Sequence, residues 1–337
     1  MSLCEITIPQ SLDLQNTLIF PNHLYDLPEA DEYVFNFQNL EWFEPFSLLY
    51  LSSEIQLIRD KYSTKKFKAI NHLTKSYAGH MGFFKAFGCN FGNIPGQTAG
   101  NRNYIPITIY NCELLRREAA KGYEKVGQFI ENNASKAASL LTRTNSGEIY
   151  DVLTYSIREI IRNVIEHSES KRFGFCAQYW PSKNKVELSV LDRGIGIKAG
   201  LDSNPHLNIQ NDHEALNFSL MPGISGKAYK GARQPKDDHW ANTGYGLYMT
   251  SRLCREGGSF FIASGKTSLL LSENSKENIS APFNGTALRL ILNTNRLNSL
   301  DEMLTKYRQD ALEFNCNNIS ASAASMMLSR DFKKLNE

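Results

Sequence analysis

The stretch Ile149-Tyr-Asp-Val-Leu-Thr-Tyr-Ser-Ile-Arg-Glu-Ile-Ile-Arg-Asn-Val-Ile-Glu-His167 decides the reading of the chain. Glu159, Asn163 and Glu166 fall four and three residues apart, so on a helix they share one polar stripe. Ile149, Leu153, Ile157, Ile160, Ile161 and Val164 fall on roughly the opposite side, the pattern of a helix packed on a core. Further on, Val186, Leu188 and Val190 alternate as in a strand that runs into Asp192-Arg-Gly194-Ile-Gly196. Gly244-Tyr-Gly246-Leu247 opens a second helical pattern. Asn284-Gly-Thr286 leads into the alternating segment 287–291.

Each piece has its own chemistry. At the end of a strand, the Asp192 carboxylate can accept a hydrogen bond from an amine such as that of adenine, and Gly194 and Gly196 let the backbone bend and approach a flat ring. Glycines at the start of a helix, as at Gly244 and Gly246, free backbone N–H groups for phosphates at the positive end of the helix dipole. Taken singly, each piece also has a plain alternative: a solvated helix face, a turn or a loop-to-helix junction.

In this order the pieces resemble the N, G1 and G2 boxes of the GHKL ATPases, the family of histidine kinases, type II topoisomerases, chaperone ATPases and anti-sigma-factor kinases. The resemblance implies a Bergerat-type α/β sandwich with helices packed on a mixed β-sheet, and it implies ATP and Mg2+ as ligands. Under it, Asn163 holds the metal and Glu159 is the catalytic residue that orients water. Asp192, Gly194 and Gly196 bind adenine, Gly244, Gly246 and Leu247 meet the phosphates, and Thr286 lies near the base. Magnesium keeps several waters, so one amide oxygen from the protein is enough. Glu166-His167 resembles the ending of this helix in anti-sigma serine kinases.

Length and composition frame that reading. A chain of 337 residues favours two domains. Residues 1–100 read as a small β-α-β-α unit with strands at 5–9, 32–37 and 67–70 and helices at 45–61 and 77–87, an order that resembles STAS-like domains. Residues 101–296 read as the ATP-binding domain, with helical stretches in 113–141, strands at 173–180, 185–191, 259–264, 267–272 and 285–292, and a helix at 244–257. The segment 197–241 takes the place of an ATP lid, and 297–337 reads as a helical tail. Gly200, Gly223, Gly226, Gly231, Pro205, Pro222 and Pro235 mark the lid as loop-rich, and Lys227, Lys230, Arg233, Lys236 and His239 make it basic.

Other signals exclude alternatives. No apolar run approaches the roughly 20 residues of a membrane span, and the opening residues lack a secretory pattern, so the cytoplasm is the expected compartment. Cys4, Cys89, Cys112, Cys176, Cys254 and Cys316 are scattered, which fits reduced thiols better than a zinc site. A net charge of +2 gives no reason to expect nucleic acid. Gly223-Ile-Ser-Gly226-Lys227 has too few residues between its glycines for a Walker phosphate loop. His213 lies after the Asn163 helix, and His72 and His80 lack the surroundings of a phospho-acceptor. The function expected is therefore a regulatory ATPase or protein kinase with a protein partner at the N-terminal domain or lid, a homodimer being left open. A nucleotide-gated switch that phosphorylates nothing is the alternative, and a module that holds nucleotide without turnover is the third.

Overall fold

The computed structural model describes residues 2–98, 100, 103–122, 125–229 and 244–315. The chain opens with β1 (Leu3–Thr7), β2 (Ser11–Leu12), α1 (Leu14–Tyr25), β3 (Glu32–Asn36), β4 (Trp42–Phe43), α2 (Pro45–Lys61), β5 (Lys66–Ile70), α3 (Ser76–His80) and α4 (Phe83–Ala86). Strands β1, β3 and β5 form a parallel sheet in that order, with α1 and α2 as crossovers. Asp13 caps α1, its Oδ1 accepting from the Asn16 N–H at 2.8 Å. Pro21 inside α1 hid this helix in the sequence, where the segment reads as turns. The helix expected at 77–87 is broken in two at Gly82, whose φ is 83°.

A larger sheet follows, built from β6 (Tyr104–Asn111), β7 (Arg172–Trp180), β8 (Lys185–Asp192), β9 (Ser259–Gly265), β10 (Thr267–Ser272), β11 (Lys276–Ile279) and β12 (Phe283–Asn293). The order is β11-β10-β9-β12-β8-β7-β6. Its strand pairings are antiparallel, whereas the small sheet is parallel, so the fold is α/β with the two pairing modes segregated rather than mixed in one sheet. The helices between are α5 (Cys112–Lys121), α6 (Val126–Thr142), α7 (Glu148–His167), α8 (Gly196–Leu201), α9 (Asp212–Ser219), α10 (Gly246–Arg255) and α11 (Leu300–Asn315). Among the described residues, no helix is long and apolar enough to cross a membrane.

Both faces of the large sheet are buried along its central strands β8, β9 and β12. Successive side chains on a strand point to opposite faces. Val186, Leu188 and Val190 of β8, with Leu288, Leu290 and Leu292 of β12, join the core formed with α6, α7, α10 and α11. Leu191, Phe261, Ala263 and Ala287 join a second core with Phe46, Leu48, Leu49 and Tyr50 of α2. One core therefore runs across residue 100, where the sequence suggests a division between domains. The N-terminal unit takes the back face of the large sheet as part of its own core. Helix α2 is buried along most of its first eight residues, as a helix held between two layers must be.

A buried charge cluster joins these layers. Glu187 is 0% exposed; its Oε1 accepts from the Phe46 N–H at 2.9 Å, and its Oε2 from Arg289 Nη2 at 3.0 Å. Arg289 also pairs with Glu44, and Lys185 Nζ lies 3.2 Å from the same carboxylate. The Glu187 carboxylate thus meets the N-terminus of α2, where the unsatisfied N–H groups and helix dipole favour an anion.

The segment expected to be a loop-rich lid holds more structure than its composition indicates. Helices α8 and α9 enclose a small core of Leu201, Ile209, Ala215 and Ile224. Residues 230–241, with Lys230, Arg233, Lys236 and His239, lie outside the described residues. The tail begins as α11, which packs on α10 and α7, with Tyr307 donating to Glu256 Oε1 at 2.9 Å.

Arg289→Ala leaves the buried Glu187 and Glu44 without the guanidinium between them, with the half-exposed Lys185, 3.7 and 3.2 Å away, as their remaining cation among the described residues. Breaking such a buried pair costs about 3–5 kcal/mol. A fall of that size in urea-unfolding stability is expected, and a change under about 1 kcal/mol would show that the cluster does not hold α2 to the sheet.

Candidate functional site

The parity that sends Val186, Leu188 and Val190 toward the helices also sends Asp192 there, at the end of β8. Asp192 is 2% exposed, and its Oδ1 accepts from the Gly194 N–H at 2.7 Å. On the neighbouring strand Thr286 stands in register with it. The turn that follows is tied down on both sides. The Ile195 N–H donates to the Ser168 carbonyl at 2.8 Å. The Ile197 N–H donates to Ser264 Oγ at 2.9 Å, and that hydroxyl donates to the Gly285 carbonyl at 2.7 Å. A Cβ at residue 194 would collide with the Ser168 carbonyl, and Gly196 has a φ of 78°, so both positions require glycine.

Helix α7 forms the opposite wall. Asn163 Nδ2 is buried and has no hydrogen-bond partner. One turn on, Glu166 accepts from Arg162 Nε at 2.8 Å, and its backbone carbonyl accepts from Lys227 Nζ. Glu159 is 8% exposed and is held by Arg158, whose Nε and Nη2 lie 3.0 and 2.8 Å from its Oε1. Its other oxygen lies so close to Gly246 that a Cβ there would strike it.

Between these walls lies a cleft of about 770 Å3 of empty space, open solvent at its mouth included. Of the residues singled out in the sequence, Asn163, Asp192, Gly196, Gly244, Gly246, Leu247 and Thr286 line it. Glu159 and Gly194 do not: the first sits beneath the start of α10, and the second backs onto Ser168. Val190, Leu288, Ile197, Leu201 and Ile224 supply apolar walls. An apolar cleft with a few convergent polar groups is the usual form of a small-molecule site.

Burial sets the electrostatics. It pushes the Asp192 carboxyl up to about 6, against the lowering effects of the Gly194 N–H and Arg193. His167 moves the other way, to about 4, because of burial first and then the charges of Lys227 and Arg162. Its ring is therefore neutral at pH 7, and the 4.0 Å approach to Glu166 is not an ion pair. Comparison with protein-family models and with curated proteins finds no match.

Two residues that shape the site escape sequence reasoning. Ser264 braces the turn from β9, and nothing in its local sequence marks it. Arg193 sits inside the quoted motif but points away from the cleft, to Ser53 and Glu54.

The two shifted groups oppose each other as pH changes. Asp192 holds its proton more tightly folded than unfolded, so its contribution to stability grows as pH falls from about 6 to 4. His167 resists protonation in the fold, so its contribution is lost as pH falls from about 6.5 to 4. Asp192→Asn removes only the first. The unfolding free energy from urea titrations should then fall more steeply on acidification than in the parent, by up to about 3 kcal/mol. Parallel pH profiles for the two chains would contradict the raised Asp192 pKa.

Proposed function

We propose that this chain is a cytoplasmic regulatory protein that binds ATP in the manner of the GHKL family. On this reading the large sheet and helices α6, α7 and α10 form a Bergerat-type sandwich. One observation carries it. A buried carboxylate at a strand end, in register with a hydroxyl, faces an amide whose nitrogen has no partner across one apolar cleft.

The parts divide the work. Asp192 has one oxygen engaged by Gly194, which leaves the other to accept from the exocyclic amine of adenine. Thr286 stands beside it, and the apolar walls exclude water from the ring. Gly244 and Gly246 bring the backbone of the α10 N-terminus into the cleft, where N–H groups suit phosphate oxygens. Among the described residues no cluster of three or more His, Cys, Asp or Glu is arranged to hold a metal. A magnesium ion arriving with the nucleotide needs only one protein ligand, and the Asn163 amide fits, since its oxygen and nitrogen exchange places by a flip. When bound, the ion supplies charge neutralisation for the phosphates. Partner proteins remain part of the proposal, through the N-terminal unit or the 197–241 segment.

A second reading, the nucleotide-gated switch without phosphoryl transfer, draws support from Glu159. Its carboxylate is bound to Arg158 and stands outside the cleft lining, which suits a structural role under α10 better than a free general base. Turnover separates the readings.

Calorimetry should show Mg-ATP binding by the parent chain. Asp192→Ala should weaken it about 10–100-fold, the effect of losing a buried polar contact of about 1–3 kcal/mol. Asn163→Ala should abolish the dependence of that affinity on magnesium. Unchanged ATP affinity in a folded Asp192→Ala chain would remove the basis of the proposal.

If the chain is an ATPase or kinase, Glu159→Gln should keep ATP and lose roughly 10²–10⁴-fold in turnover. Parent-level turnover in this variant would exclude Glu159 as the catalytic base, and no turnover in the parent would favour the switch.

A further inference from the structure

Asp192 and Arg193 are adjacent in sequence and serve opposite faces of the sheet. Asp192 shares the parity of Val190 and looks into the cleft, whereas Arg193 follows Glu187, Ser189 and Leu191 toward the N-terminal unit. There its guanidinium uses most of its donors. Nη2 donates to Glu54 Oε1 at 2.7 Å, Nε to Ser53 Oγ at 2.9 Å and Nη1 to the Asn284 carbonyl at 3.3 Å. Its Cζ lies 3.9 Å from the centre of the Phe283 ring. Glu54 is 0% exposed, and its other oxygen accepts from the Tyr25 hydroxyl at the end of α1.

One planar group therefore joins four pieces of chain: α1 through Glu54, α2 directly, the start of β12, and the turn that holds Asp192. The start of β12 matters because Thr286, two residues beyond Asn284, lines the cleft. The bonds from Gly194 to Asp192 and from Ile195 to Ser168 already close the turn on the cleft side. The Arg193 contacts add nothing to that closure. What they fix is the position of the turn relative to α2.

We propose that Arg193 is a positioning residue for the nucleotide cleft, holding the turn after Asp192 and the segment before Thr286 against α2, so that nucleotide affinity depends on how the N-terminal unit is seated. The inference rests on the nucleotide-binding reading above. Coupling of this kind is reciprocal: if the seating of α2 alters affinity, nucleotide must alter the seating of α2. A protein partner that shifts α1 or α2 would then change nucleotide affinity without touching the cleft.

The test uses the full chain with Arg193→Lys, Glu54→Gln and both together. Lysine keeps a cation beside Glu54 but lacks the fork that reaches Ser53 and Asn284 while lying on Phe283. Two readouts are needed: Mg-ATP affinity by calorimetry, and hydrogen exchange of residues 45–61 with and without nucleotide. Arg193→Lys is expected to weaken ATP at least about fivefold. Glu54→Gln should weaken it as well, and the double variant should be no weaker than Arg193→Lys alone, because the two residues act through one contact. Nucleotide should raise protection of 45–61 in the parent and fail to do so in Arg193→Lys. A merely structural residue would lower the melting temperature and leave both readouts alone. Suppose the parent binds ATP and Asp192→Ala weakens it, yet Arg193→Lys keeps parental affinity and parental protection; the coupling is then overturned while the nucleotide reading stands. A parent that binds no nucleotide would overturn both.

Discussion

The structure depends on an antiparallel sheet whose central strands are covered on both faces. Strands of such a sheet commonly bury one side and leave the other to water. Here α7 and its neighbours cover one side and α2 covers the other. Polar residues on the α2 side are consequently buried too, and each must find a partner or carry the cost of desolvation. Glu187 finds two: the first turn of α2 and Arg289. Its carboxylate therefore serves at once as the helix's cap and as half of an ion pair with β12.

That arrangement is also what gives the cleft its shape. Because β8 is paired with β12 along its whole length, Asp192 at its end stands beside Thr286 without any freedom of register. A slip of one residue would turn the whole apolar set of β8 to the wrong face, so the packing on both sides enforces the pairing. Helix α7 is fixed independently by α6, α10 and α11, which sets Asn163 against the strand ends. The cleft is the gap left where the helix layer and the sheet diverge beyond those ends.

Much of this is legible in the amino-acid order, for specific reasons. Helix α7 and strands β7, β8 and β10 announce themselves by clean periodicity, and α2 begins at Pro45, a residue suited to a first helical turn. Helix α1 is obscured by Pro21, and β11 by its polar run Lys276-Glu-Asn-Ile279 at the edge of the sheet. Helices α8 and α9 are short, and their small core is formed by residues too widely spaced to show a period. Asp192 is readable as a site residue because its strand and its glycines are local. Arg193 is not, because Ser53 and Glu54 lie 140 and 139 residues away in sequence. Nor does the apolar start of α2 reveal that its second covering layer is a sheet encoded far downstream.

The position of β12 in the sheet has a consequence for synthesis. It is the last strand among the described residues, yet it lies between β8 and β9 near the middle of the sheet. Until residues up to 293 have left the ribosome, β8 lacks one neighbour, Glu187 lacks Arg289, and α2 lacks part of the surface that buries it. The N-terminal strands can pair early, but the layers they belong to close only once β12 has emerged. Such long-range closure slows folding and leaves apolar surface waiting. The nascent N-terminal unit thus emerges with one side of α2 still uncovered, because the sheet that buries it is encoded downstream.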